Sequence, residues 1–204
     1  MYTVTRSDLP ILDLFLRRRM IRFLSRYLSD IDLYLNWFGH QFSMSALFKY
    51  YTYLLGKSEV RGRVFFVADL ISVAVVSRHR MRSKSIWLAT CYIICLVHPG
   101  RWIHIASIIK NIYDLHRLRP YSDYYYLDAI ATANEYRNIG LASALLYDIY
   151  DSIKCEGGGV LVCDTSTEGL IHLLNKHDWA KIGVTSIGGG DHVSTFAIPI
   201  DSCI

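Results

Sequence analysis

A short glycine-containing loop between an apolar run and an amphipathic segment is the feature that most constrains this chain. Residues 124–132 are mainly apolar and aromatic, which predicts a strand, and apolar residues recur at helical spacing from Leu141 onward. A loop at this position turns successive backbone N–H groups toward one point at the positive end of a helix. Gly140 permits a ligand to approach the backbone closely. The sequence therefore predicts a strand–loop–helix unit that binds phosphate groups.

The predicted elements on both sides of this loop follow a definite order. Before it, a short strand at residues 2–5 leads to a helix that Ser7 or Asp8 could cap, and a second helix follows at about 31–55. Residues 64–68 and 71–76 then form two strands joined by a tight turn. After the loop, glycines 157–159 end the helix. The remaining prediction is a strand at 160–164, a short helix at 168–177 and a closing hairpin of strands at 180–187 and 192–200.

The loop sequence Arg137-x-x-Gly140-x-Ala142 resembles the pyrophosphate-binding signature of the GNAT superfamily, the acyl-CoA-dependent N-acyltransferases. The family pattern is Arg or Gln, two residues, Gly, one residue, and Gly or Ala. The family places this loop between its fourth strand and third helix, and the order of elements here is similar. The resemblance implies an α/β (α+β) fold with a mixed, mostly antiparallel central sheet flanked by helices. We expect one such domain over residues 1–204.

Residues 81–120 exceed the minimal form of that fold. They are apolar on both sides of Pro99-Gly100, which predicts a helical hairpin inserted between the third and fourth strands. The resemblance implies that such an insertion lies near the acceptor site, whereas additional core or a homodimer contact is an equally weighted alternative. No uncharged apolar run reaches the ~20 residues that span a bilayer, so we expect no membrane span. No signal-peptide pattern is present at the N-terminus, because charged residues interrupt its apolar residues.

The resemblance also implies where acetyl-CoA would bind as a co-substrate. Backbone groups at the end of the fourth strand hold the pantetheine arm in the family, and Arg137 begins the signature. The amides of the loop and of the first helical turn hold the pyrophosphate, and Thr167 occupies a position where the family has Asn. The implied cofactor-binding residues are Ile130, Ala131, Thr132, Arg137, Asn138, Ile139, Gly140, Leu141, Ala142, Ser143 and Thr167.

Acyl transfer to an amine requires a base that removes the ammonium proton. Many family members place a carboxylate on the fourth strand, and Asp128 is the only carboxylate within that strand's core. Strand alternation predicts that Tyr126, Asp128 and Ile130 share one face. We therefore expect Asp128 to be the catalytic base. A structural hydrogen-bonding role for Asp128 is the alternative, at even weight.

The general acid has no clear counterpart in this sequence. The resemblance implies a Tyr in the helix after the fifth strand, but that position is Leu174. Three residues are candidates to replace it, although surface or packing roles suit them better: His172, His177 and Tyr147. A thiolate can also leave without an acid, because its conjugate thiol is already fairly acidic.

Charge and cysteine usage restrict the classes of partner. The net charge of +4 is modest, and five early arginines (17, 18, 19, 22 and 26) indicate mainly a solvated helix face. We expect no nucleic-acid partner, and binding of RNA or an anionic membrane through these arginines is the alternative. The five cysteines are odd in number and lack a CxxC pattern, which favours a reducing, cytoplasmic location. The histidines lack metal-ligand spacing, so we expect no metal site.

Together these features predict an N-acyltransferase that moves an acetyl group from acetyl-CoA to a primary amine, as the resemblance implies. The missing Tyr leaves a non-catalytic module, which binds acyl-CoA or a partner on the same scaffold, as the alternative. The acceptor stays open between protein N-termini, lysines, polyamines, amino sugars, antibiotics and aminoacyl-tRNA, and so does the acyl-chain length.

Overall fold

A mixed β-sheet organises the part of the chain that the computed structural model describes, namely residues 3–8, 13–29, 43–56, 62–80, 123–186 and 192–202. Within these ranges seven strands form one sheet in the order β1-β2-β3-β4-β5-β7-β6. The strands are β1 (Val4–Asp8), β2 (Gly62–Val67), β3 (Ser72–Arg80), β4 (Asp123–Thr132), β5 (Gly159–Thr165), β6 (Ala180–Ser186) and β7 (His192–Ile200). Neighbouring strands are antiparallel except β4 and β5, which are parallel.

Helices cover both faces of this sheet. On one face, α1 (Leu14–Leu28) and α2 (Ser43–Gly56) bury an apolar stripe against β2, β3 and the end of β4. On the opposite face, α3 (Leu141–Cys155) and α4 (Glu168–Lys176) pack on β2 to β5 and β7. The buried residues of α3 lie on one side of the helix because they recur at helical spacing. They are Leu141, Leu145, Leu146, Ile149, Ser152 and Ile153.

Most of the predicted elements are present with shifted ends. The predicted hairpin of the second and third strands is confirmed, and its tight turn places Asp69 and Leu70 at positive φ angles of 58° and 60°. The predicted cap of the first helix was wrong. Asp8 belongs to β1, where it pairs with Arg63, and the Asp13 side chain caps α1 instead by accepting bonds from the Phe15 and Leu16 amides.

Two predicted segments lie partly or wholly outside the described residues. The helix predicted at 31–55 is described only as α2, from Ser43 onward, and the insertion predicted at 81–120 is outside the described ranges altogether. Among the residues that are described, no helix is long and apolar enough to cross a membrane.

Candidate cofactor and active site

The loop before α3 presents backbone donors toward solvent. A 3-10 turn at Asn134–Tyr136 follows β4, and then Asn138 and Gly140 adopt positive φ angles of 64° and 89°. Gly140 is the N-cap of α3 and contributes no side-chain cap, and the first intrahelical bond runs from the Ala144 amide to the Gly140 carbonyl. The amides of the first helical turn therefore have no acceptor within the helix. Alternating backbone conformations of this kind form a concave anion-binding nest.

Space around Gly140 is open. A Cβ built at this position would have no heavy atom within 4 Å. Asn138, Ile139 and Gly140 are exposed, whereas Leu141 is buried and anchors the first turn of α3 in the core. A phosphate group can thus reach the loop backbone without displacing protein atoms, and the residues present fit the pyrophosphate of a CoA ester.

Hydrogen bonds fix the end of β4 relative to this loop. The Arg137 Nε donates to the Thr132 carbonyl at 3.5 Å, a long hydrogen bond between the loop and the last residue of β4. Ser72 of β3 lies 2.8 Å from the Thr132 hydroxyl and donates to the Ala131 carbonyl at 3.2 Å. The predicted pantetheine-binding backbone at the end of β4 is therefore held by β3 on one side and by the loop on the other.

Strands β4 and β5 separate beside this backbone. Only Tyr125 with Leu161 and Tyr126 with Val162 are paired between the two strands. Beyond these pairs β5 remains paired with β7 through Thr165, so β4 has no strand against that edge from Leu127 to Thr132 within the described residues. An extended ligand can occupy such a gap because unpaired backbone donors and acceptors line it.

A β-bulge lies on β4 at Asp128. Val75 pairs with Ala129 and Val76 pairs with Leu127, so Asp128 is the extra residue of the bulge. The prediction that Tyr126, Asp128 and Ile130 share a face was wrong for this reason. Tyr126 packs with Tyr124, Val162 and Ala197, whereas Ile130 packs on the opposite side of the sheet with the α3 cluster.

The bulge places Asp128 where β4 and β5 separate. Its side chain is half-buried, and the Oδ2 atom is shielded from solvent. Sequence alternation alone gave no sign of this bulge, because the extra residue is defined by pairing with β3, a strand about 50 residues earlier in the chain. The role of Asp128 as a base stays a prediction.

A second carboxylate lies on the neighbouring strand. Asp164 of β5 accepts a bond from the Tyr126 hydroxyl at 2.9 Å and one from the Thr195 hydroxyl at 2.7 Å. The Tyr126 contact joins β4 to β5 just where their backbone pairing ends. Sequence analysis missed this link, since the two residues are 38 positions apart and have no motif in common.

Residues near α4 occupy different environments. Leu174, at the position where the family has Tyr, is fully buried in the core between α3 and the sheet, whereas His172 and Tyr147 are exposed. Thr167 is the N-cap residue of α4, and its amide donates to the Thr165 hydroxyl at 3.0 Å. Leu174 is apolar, so this residue presents no hydroxyl at the family position.

His177 lies closer to the loop than its sequence position indicated. It is 8% exposed, and its Nε2 atom lies 3.0 Å from the Ser143 hydroxyl in the first turn of α3. The rings of Tyr147 and Tyr150 lie 5.1 Å and 6.2 Å from the imidazole. Burial lowers the pKa of His177, with a further lowering by Lys176 and an opposing effect of Asp178.

Outside this region, the described residues offer little that suggests other chemistry. No group of three His, Cys, Asp or Glu side chains among them could hold a metal ion. Arg18, Arg19, Arg22 and Arg26 are exposed on α1, and none of them pairs with an acidic side chain within the described ranges. Exposed arginines of this kind are typical of a solvated helix face. Anion binding by these arginines stays a prediction.

Comparison with known proteins yields similarity at the level of structure. No protein-family model and no curated protein sequence matches the chain. Arylalkylamine N-acetyltransferase 2 from Aedes aegypti superposes with a TM-score of 0.63 at 9% identity, covering 98% of this chain and 100% of that chain. Drosophila melanogaster polyamine N-acetyltransferase gives a TM-score of 0.60 at 12% identity, with 97% and 100% covered.

A bacterial structure is similar over the same length. The ribosomal-protein-S18-alanine N-acetyltransferase from Escherichia coli gives a TM-score of 0.54 at 13% identity, with 99% of this chain and 97% of that chain covered. Identities this low establish the fold alone. The chain has the GNAT fold, which confirms the predicted mixed, mostly antiparallel sheet flanked by helices.

Proposed function

We propose that the protein is an N-acyltransferase that moves an acetyl group from acetyl-CoA to a primary amine. The observation that carries this proposal is the open loop at Gly140, whose amides face solvent at the start of α3 beside the gap between β4 and β5. The GNAT fold of the whole chain supports the same conclusion. A single domain over residues 1–204 and a cytoplasmic location are part of the proposal, the latter because Cys155 and Cys163 are free thiols.

In this mechanism, acetyl-CoA supplies an activated thioester, and the chain binds and orients it. The amides from Asn138 to Ser143 hold the pyrophosphate, and backbone groups of Ile130, Ala131 and Thr132 hold the pantetheine arm in the gap beside β4. Arg137 adds positive charge at the start of the loop. Because the helix and strand hold the amides in place before binding, little ordering of the backbone is required.

Asp128 accepts the proton that the acceptor ammonium must lose before the amine can attack the acetyl carbon. A new C–N bond then forms as the C–S bond breaks, and the electron pair leaves on sulfur as a thiolate. The attacking nitrogen releases its second proton to solvent, so the amide product is neutral. Leu174 supplies no proton, because its side chain is apolar and fully buried. We assign no residue as general acid, since a thiolate is a good leaving group near neutral pH.

The acceptor is proposed only as a primary amine. The names of the three similar proteins include arylalkylamines, a polyamine and the alanine of a ribosomal protein, so the fold accommodates chemically different amines. A panel of such acceptors with acetyl-CoA, monitored by release of free thiol, tests the proposal directly. Transfer to at least one amine is expected.

The Asp128→Asn variant tests the assignment of the base. Turnover should fall by about 100-fold or more, the usual effect of losing a general base, while acetyl-CoA affinity stays within about twofold. Asp151→Asn is the matched control, because Asp151 is an exposed carboxylate on α3. Equal turnover of Asp128→Asn and the control would remove Asp128 as the base.

The buried Leu174 favours one alternative, a non-catalytic module that binds acyl-CoA. This alternative predicts cofactor binding by the wild-type protein together with no turnover on any amine of the panel. Turnover above the uncatalysed rate, lost in Asp128→Asn, would exclude it.

A further inference from the structure

His177 and Ser143 join the two helices that lie against the phosphate loop. Ser143 is the third residue of α3, and His177 is the C-cap residue of α4. The His177 Nε2 and Ser143 Oγ atoms are 3.0 Å apart, a distance typical of a hydrogen bond. This is a contact between residues 34 positions apart that aims a buried, polar ring at the first turn of the predicted cofactor-binding helix.

The imidazole is held in a fixed orientation. The backbone amide of His177 donates to the Leu173 and Leu174 carbonyls. The following residue, Asp178, turns the chain with a φ angle of 59°. The Tyr150 ring packs edge-on to the imidazole, and the Tyr150 hydroxyl in turn accepts a bond of 2.5 Å from the Trp179 indole. Side-chain packing of this kind leaves the Nε2 atom with one direction in which to bond.

The direction of that bond decides what the Ser143 hydroxyl can do. If Nε2 carries the proton, it donates to Oγ, and the hydroxyl hydrogen of Ser143 remains available to another acceptor. If Nε2 accepts instead, the only hydroxyl hydrogen is used. A phosphate bound at the start of α3 is an acceptor, so only the first arrangement adds a donor to the backbone amides.

We propose that His177 is a positioning residue for the cofactor: it donates from Nε2 to Ser143, which thereby turns its hydroxyl hydrogen toward the phosphate group bound at the loop. The inference rests on the proposed function, since it assigns a role at the same cofactor site. His177 touches neither substrate in this account and acts only through Ser143.

The tautomer of His177 is the first test, and it requires no variant. Nitrogen NMR of the histidine-labelled wild-type protein at pH 7.5 should show His177 as the neutral ring with its proton on Nε2. The ring is expected to be neutral because burial lowers its pKa. Observation of the proton on Nδ1 would overturn the inference, because Nε2 would then be an acceptor.

Calorimetry with CoA is the second test. Ser143→Ala should weaken CoA binding by about tenfold, the effect of losing one hydrogen bond to a charged group. His177→Phe should weaken it by less, because the Ser143 hydroxyl remains but is no longer oriented. The double variant should be no weaker than Ser143→Ala alone, because His177 acts only through the Ser143 hydroxyl. His177→Gln, whose amide N–H can donate to Ser143, should recover most of the affinity.

Controls separate positioning from a merely structural role. His172→Phe changes an exposed histidine on the same helix and should leave CoA affinity unchanged. Equal weakening by His177→Phe and His177→Gln, or additive effects of the Ser143 and His177 changes, would overturn the inference while leaving the proposed function intact. Absence of CoA binding by the wild-type protein would overturn both.

Discussion

The two ends of helix α3 are built in opposite ways. At its C-terminal end the Gly158 amide bonds to the Ile153 carbonyl and the Gly157 amide bonds to the Lys154 carbonyl, which together form a Schellman motif. At its N-terminal end Gly140 provides no side-chain cap. One end therefore satisfies its backbone groups within the protein, and the other presents them to solvent.

Side chains add to this contrast. Near the C-terminal end, Arg63 of β2 donates to the Ser152 hydroxyl at 2.5 Å and forms ion pairs with Glu156 and Asp8. The Tyr125 hydroxyl also donates to Glu156 at 3.0 Å. At the N-terminal end, Arg137 makes only one long contact, with the Thr132 carbonyl, among the bonds described. The comparison teaches that the C-terminal end of α3 is closed by contacts within the protein, whereas its N-terminal end leaves its amides open, as the proposed anion site requires.

The largest expected effect on stability is at the C-terminal end of α3, which we call the closed end. In Gly158→Ala the new Cβ would lie 2.5 Å from the Ile200 carbonyl oxygen and 2.8 Å from the Ser202 nitrogen, at a φ angle of +78°. We expect a loss of about 3 kcal/mol in the free energy of unfolding, measured with urea, because steric overlap adds to backbone strain.

Gly157→Ala is the matched control for this change. Gly157 also has a positive φ angle, but its Cβ would meet nothing within 4 Å, so only strain of about 1 kcal/mol is expected. Equal losses of unfolding free energy in Gly157→Ala and Gly158→Ala would show that packing of Gly158 against the end of β7 does not restrict this position.

A smaller effect is expected from Arg63→Ala. The change removes the hydrogen bond to Ser152 and both ion pairs. The Arg63 and Glu156 side chains are only 28% and 27% exposed, so solvent screens their ion pair only in part. We expect the free energy of unfolding to fall by about 1–2 kcal/mol, with CoA affinity unchanged.

Arg137→Ala is the counterpart at the N-terminal end of α3, which we call the open end. It should change the free energy of unfolding by no more than about 0.5 kcal/mol, as surface substitutions usually do, while weakening CoA binding. The comparison between the ends would fail if Arg137→Ala destabilised the fold more than Arg63→Ala, or if Arg63→Ala weakened CoA binding more than Arg137→Ala.

A modest effect on stability, smaller than that of Gly158→Ala, is expected for Gly140→Ala. Its Cβ meets open space at a φ angle of +89°, so strain alone should lower the free energy of unfolding by about 1 kcal/mol, as in Gly157→Ala. The two variants should differ in CoA affinity, which only Gly140→Ala should weaken. Similar CoA affinities in both would indicate that the space beside Gly140 is not used by the ligand.

Local signals explain why much of the fold was predictable from sequence. The Gly140 loop, the glycines after α3 and the apolar runs of β4 and β5 each specify their own conformation, so the order of elements from β4 to β7 was predicted closely. The loop sequence is also compatible with the backbone found there, because positive φ angles at Asn138 and Gly140 suit those residue types. Anion binding by this loop stays a prediction.

Features that depend on distant partners were not predictable in this way. The bulge at Asp128 arises from the register between β3 and β4, and strand alternation consequently gave the wrong face for Ile130. The contact between Ser143 and His177 likewise requires α3 and α4 to pack side by side. Ser7 and Asp8 suit a helix cap locally, yet pairing of β1 with β2 takes both into the sheet.

Acetyl-CoA binding by calorimetry, with the wild-type protein and Gly140→Glu, tests the central claim most directly. We predict micromolar binding by the wild type and a loss of at least about 100-fold in Gly140→Glu, because a carboxylate would occupy and repel the phosphate site. Gly140→Ala, with the same backbone strain, should retain measurable binding. No binding by the wild type, or full affinity in Gly140→Glu, would contradict the assignment of the open end of α3 as the cofactor site.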